Sequence, residues 1–180
     1  MDLKPFAEAV QSTAVAEWMR TSLKAMPIIE ATHVLCVALI FGSILIVDLR
    51  MLGYPHTKRP WTRTYSELIR ITWCAFVLAA ITGALMFAPN AVTYVGNTAF
   101  QLKMLTLAAV GLNMLIFQSI SARSVAAWDQ NASAPPTVKL AGVLSILLWI
   151  TVILLGRWIG FTKGYDFTVP EDVQFEFPGG

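Results

Sequence analysis

The sequence predicts an all-α integral membrane protein: a four-helix bundle with an N-terminal amphipathic interfacial helix and a short acidic C-terminal tail. Three observations carry that prediction. Of the 180 residues, 56% are apolar and only 13% are charged, against about 25% charged in a soluble domain. Four charge-poor stretches approach the roughly 20 residues needed to cross a hydrocarbon layer about 30 Å thick. None of them alternates in the way the strands of a membrane barrel do. The same composition excludes disorder and a disulfide scaffold. A net charge of +2 leaves no basic footprint for nucleic acid.

Residues 1–27 form the interfacial element. Leu3, Phe6, Val10, Ala14 and Trp18 recur at helical spacing, the pattern of a helix lying in the membrane surface. Glu8, Glu17, Arg20 and Lys24 interrupt the segment, so it does not read as a signal peptide. Pro27 then opens the first span, residues 28–47, whose only charged or titratable side chains besides Cys36 are Glu30 and His33. The second span, 71–88, has no charge. The third, 100–120, carries Lys103 near its start and Asn113 near its middle, and the fourth, 140–156, is bracketed by Lys139 and Arg157. Small residues recur in every span, among them Gly42, Gly83, Gly111 and Gly142. Close backbone approach at such residues supplies helix–helix contact energy in lipid. Residues 28–160 therefore make one four-transmembrane-helix domain, and 161–180 a tail.

Lys and Arg in the short connections set the orientation. The first connection holds Arg50, Lys58, Arg59 and Arg63, with Arg70 at its edge, whereas residues 89–99 hold none. With Arg123 and Lys139 in the third, seven positive residues fall on one side and six on the other. That places both termini outside, with acidic Asp166, Glu171, Asp172 and Glu176 in the tail. The tail forms either a short strand, a partner-binding arm or a flexible end.

Ionisable groups inside a bilayer cost about 2.5–3.5 kcal/mol at the centre on insertion scales and mark functional sites by default. Glu30 and His33 share a helix face at i,i+3, and His33 lies about 7–8 Å below the outer boundary by helical rise. Met86, Gln101, Lys103, Met104, Arg157 and Trp158 fall at similar depth. In this reading Glu30 accepts a hydrogen bond from one ring nitrogen and frees the other for a metal. His33 with Met86 or Met104 makes an axial pair for haem b, while His33 with Cys36, one turn deeper, offers copper(I) its preferred donors. The plain alternative is that Glu30 and His33 pair with each other, or with Lys103 or Arg157, and merely fix helix packing. One Glu-x-x-His does not make a di-iron bundle, which needs two such motifs.

His56 reads as a solvated loop residue across the membrane from His33, so the two cannot share a haem. Asp48, Arg50, Glu67, Arg70, Gln118, Arg123, Trp128 and Asp129 gather at the cytoplasmic end. They read as a salt-bridge collar or, alternatively, as a half-channel or anionic-ligand site. Asn113 is expected to hydrogen-bond across helices with Thr82, Ser145 or Thr151. Cys36 and Cys74 lie at different depths and form no disulfide or redox motif. Trp18, Trp61, Trp128 and Trp158 are interface anchors, with Trp73 and Trp149 inside spans. No P-loop, nucleophile elbow or zinc-protease motif occurs, which argues against a hydrolase or an ATP-driven pump.

Glu30-Ala31-Thr32-His33, Gly42 and Asp48-Leu49-Arg50-Met51-Leu52-Gly53 resemble the opening of an uncharacterised family of four-helix bacterial inner-membrane proteins. Thr82-Gly83, Asn97, Phe100, Lys103, Ala127-Trp128-Asp129 and Gly156-Arg157 fit the same pattern, over roughly residues 28–160. A more distant likeness is to copper-resistance protein D and to HemJ-type protoporphyrinogen oxidases, which implies metal or tetrapyrrole handling by analogy. Some members of the resembled family carry a second histidine where Gln118 stands here, a departure that removes one haem ligand.

The expected function is that of a small inner-membrane subunit binding haem b or copper near the periplasmic face, for electron transfer or metal handling. A membrane or periplasmic protein is its expected partner, beside the lipid bilayer. The alternative is a non-catalytic accessory subunit of a larger membrane complex, without a cofactor, docking through its N-terminal helix and acidic tail. A quinone or lipid site between the spans is a third reading.

Overall fold

A computed structural model describes residues 3–54, 61–117, 119 and 134–162. His56, Lys58, Arg59, Gln118, Arg123, Trp128, Asp129 and the acidic tail lie outside these residues. The chain runs through α1 (Lys4–Gln11), α2 (Ala14–Thr21), α3 (Ala25–Met51), α4 (Trp61–Phe87), a 3₁₀ turn (Ala88–Asn90), α5 (Ala91–Gly96), α6 (Thr98–Ile116) and α7 (Pro136–Thr162). Four helices, α3, α4, α6 and α7, are long and apolar enough to cross a membrane. The fold is the all-α membrane bundle that the composition predicts.

The spans outrun their charge-free cores. The first, second and fourth helices each have 27 residues, because polar residues extend them past the apolar layer. The first turn of α4 carries the exposed pair Arg63–Glu67 at 3.2 Å, a contact worth little energetically. Helix α3 stops where Gly53 takes φ +90, a conformation without penalty only for glycine. The Tyr54 N–H then donates to the Leu49 carbonyl at 2.9 Å, closing the helix as a left-handed terminator does.

Helix α4 packs along α3, α3 crosses α7, and α7 packs along α6. Helices α4 and α6 make no extensive contact with each other among the described residues. The bundle is therefore a row of helices bent round a seam, not a closed ring. Its central core is Cys36, Ile40, Ala75, Ala79, Trp149 and Val152, with Leu107 and Val110 of α6 against it. Outside the core, leucines such as Leu35, Leu105 and Leu154 are exposed, as a lipid-facing surface requires.

The N-terminal segment departs from the single interfacial helix expected. It breaks at Ser12–Thr13, where both hydroxyls donate back to carbonyls of the preceding turn and Thr13 Oγ1 caps the Ala16 N–H at 3.3 Å. Such local bonds compete with helix continuation. Nor is 89–99 a plain loop: it contains the 3₁₀ turn and α5. The two segments form a cap. Val92 N–H donates to Gln11 Oε1 at 3.2 Å and Arg20 to the Pro89 carbonyl at 3.3 Å. Ala7, Ala16 and Met19 are buried, while Phe6 and Trp18 stay exposed.

Candidate functional site at the capped end of the bundle

One level near the cap collects a polar or glycine residue from each spanning helix. On α3, His33 Nδ1 lies 2.9 Å from Thr82 Oγ1 of α4. The Thr82 side chain, 5% exposed, donates its hydroxyl hydrogen to the Leu78 carbonyl at 2.8 Å, with the Ala79 carbonyl at 3.1 Å. A hydroxyl has one hydrogen, so toward His33 it is an acceptor. This pattern assigns the ring proton to Nδ1 and leaves the Nε2 lone pair open, the arrangement found in metal-ligating histidines.

Gly83 lets the ring lie flat against α4. A Cβ there would stand 3.2 Å from His33 Cε1, tighter than ordinary van der Waals contact. On the other side of the bundle, Lys103 of α6 reaches over α7, its Nζ 3.5 Å from where a Cβ of Gly156 would be. Asn97 fixes that register: its carbonyl oxygen accepts from the Ala99 and Phe100 N–H groups, and its amide donates to Thr162 Oγ1 at 3.0 Å. The Lys103 charge acts electrostatically on His33. Next along α7, Arg157 turns outward over the Phe161 ring, 5.2 Å from its centroid.

One turn nearer the cap, Phe87 of α4, Tyr94 of α5 and Phe100 of α6 pack ring to ring at 5.4–5.9 Å, joined by Ala99 and Ile159. One turn farther in, Leu107 meets the central core.

The predicted ligand set is only partly assembled. Glu30 is exposed and makes no bond to His33; Thr82 takes the partner role assigned to it, because α4 presses against the inner side of His33 while Glu30 projects outward. Met86 is half-buried and stands one turn from Thr82 on the same face of α4. Met104 is 41% exposed; its position follows Lys103, so a rotation of about 100° turns it from the seam. Cys36 is buried in the central core, and both cysteines are free thiols as expected. Among the described residues, no three His, Cys, Asp or Glu side chains gather to hold a metal ion.

Sequence reasoning missed Thr82 and Gly83 as the seat of His33. The one signal available was the Thr-Gly dipeptide inside an otherwise apolar run. Asn113 was misassigned as well. Its amide donates to the Ala141 carbonyl at 3.2 Å, while Thr82 is taken by His33 and Thr151 bonds within its own helix.

At the opposite end Asp48 is 5% exposed. Ser145 of α7 hydrogen-bonds its carboxyl, and Oδ2 is buried without a partner. The backbone of α3 approaches α7 there, with the Asp48 carbonyl 3.3 Å from a Cβ built at Gly142. Among the described residues Asp48 enters no ion pair, and Glu67 pairs with Arg63 of its own helix. The expected collar linking helix ends is thus not what these residues form.

Residues 18–162 match the family of unknown function DUF6644, and the chain belongs to that family of membrane bundles. No curated protein and no solved structure matches it. The match spans the cap, all four long helices and the His33–Lys103 level.

Proposed function

We propose that this protein is a small bacterial inner-membrane subunit that holds a haem b at His33, near the periplasmic face, for electron transfer. The observation that carries this reading is the Thr82 hydrogen bond. It spends the Nδ1 proton on α4 and leaves Nε2 as a free donor inside an apolar bundle, at a depth where an unused imidazole is a cost. Haem suits the site better than copper, since a porphyrin brings its own nitrogen ligands and asks the chain for one or two. Copper would need several protein donors, and His33 and Cys36 find no third acidic, histidine or cysteine companion among the described residues. Met86 is the candidate second ligand by its place on α4. The basic residues of the first and third connections orient the capped end toward the periplasm. The sequence likeness to copper-resistance protein D and HemJ-type proteins points the same way, by analogy alone.

The test is an optical spectrum with metal analysis of the purified chain and of His33→Ala. A Soret band present in the wild type and lost in the variant supports the reading. A folded wild type that neither carries nor takes up haem sinks it and leaves the accessory-subunit reading.

A further inference from the structure

Lys103 raises a separate question of charge. It is half-buried, and among the described residues it has no hydrogen bond and no ion pair. Its nearest charged relation is repulsive when His33 is protonated, and Arg157 on the adjoining turn of α7 is a cation committed to Phe161. Glu30, the acid closest in depth, is exposed and does not reach it. A lone ammonium at this depth costs several kcal/mol, which an anion from outside the chain would offset.

The surroundings say what kind of anion. The aromatic trio Phe87, Tyr94 and Phe100 lies between this level and the cap, and Leu107 with the apolar core lies below it. The lateral side is the seam where α4 and α6 do not pack. A hydrated inorganic anion has no suitable surroundings there. An apolar body bearing an acidic group does, with its acid on Lys103 Nζ and its remainder toward His33.

We propose that Lys103 binds a carboxylate of the ligand that His33 holds, so that the guest is an acidic tetrapyrrole recognised at both its centre and its edge. This rests on the haem reading but can be tested apart from it. The full chain in nanodiscs is titrated with haem b, with metal-free protoporphyrin IX (the same carboxylates, no iron) and with its dimethyl ester. Lys103→Met is expected to weaken binding of the metal-free diacid at least about tenfold, the size of one charge-assisted hydrogen bond. Lys103→Arg retains it, and the ester binds wild type and Lys103→Met alike. Lys103→Met also melts no lower than wild type, since it removes a buried unpaired charge; a lysine that merely held the bundle together would show a loss.

Diacid binding unmoved by Lys103→Met overturns the inference, even where haem still ligates to His33. Diacid binding that needs Lys103 but survives His33→Ala, in a protein giving no Soret shift with haem, upholds carboxylate recognition while the haem reading fails. Competition of the diacid by phosphatidylglycerol through Lys103 assigns the site to a lipid phosphate and overturns it.

Discussion

At the capped end His33, Thr82 and Lys103 come from three helices, and glycines at 83 and 156 leave room for the ring and the ammonium. At the opposite end Asp48 and Ser145 meet where Gly142 lets the backbones of α3 and α7 approach. Both levels are polar islands in an apolar bundle, and both use glycine. The difference is what the glycine faces. Gly142 faces backbone, so that end is a helix crossing with a carboxyl locked into it. Gly83 faces an imidazole and Gly156 an ammonium, so the capped end presents chemistry rather than closing on itself. Polarity alone therefore does not mark a site in a membrane bundle; an open donor does.

Several substitutions break or sharpen that contrast. The largest effect is expected from His33→Ala, which removes the bound chromophore entirely, whereas Asp48→Asn leaves its spectrum unchanged. Thr82→Val, which keeps the shape but takes away the acceptor for Nδ1, should lower ligand affinity about 10–100-fold, the usual cost of losing a metal ligand's orienting partner. Affinity titration with haem measures it, and an unchanged affinity would show that Thr82 does not orient the ring. Gly142→Val drives a side chain into the α3 backbone and should cost about 1–3 kcal/mol of stability, read as a lowered melting temperature in detergent. Gly83→Ala adds a methyl too, yet it meets a side chain that can give by a few tenths of an ångström. Its expected signature is a several-fold loss of affinity with little change in melting. Equal melting losses in Gly83→Ala and Gly142→Val would erase the distinction between the two ends. Smallest of all, Asn113→Ala forfeits one interhelical hydrogen bond, about 0.6 kcal/mol on average in a membrane protein.

The four spans were legible because charge is expensive in hydrocarbon, so its absence over 17 or more residues is hard to mistake. Their ends were not, since helices such as α4 continue through Arg63 and Glu67 into the interface, where charge costs little. Depth along the helices could be counted, which is how His33 and Lys103 were matched before any coordinates. Facing could not. Whether His33 meets Glu30 or Thr82 depends on which side α4 packs against, and an apolar helix has no polar stripe to declare it. For the same reason Met104 looked equivalent to Met86, although one faces outward and the other shares a face with Thr82. The break at Ser12–Thr13 was readable in principle, as hydroxyl pairs at such spacing favour a new helix start, but the apolar period runs through it.

The ring cluster of Phe87, Tyr94 and Phe100 and the parted α4 and α6 have a joint consequence for supply. A guest at the His33 level arrives sideways through acyl chains instead of dropping in from the aqueous phase. Its occupancy then follows how strongly it partitions into the bilayer, so a dilute but greasy molecule competes well with an abundant water-soluble one. Delivery from a neighbouring membrane enzyme would need no carrier in solution.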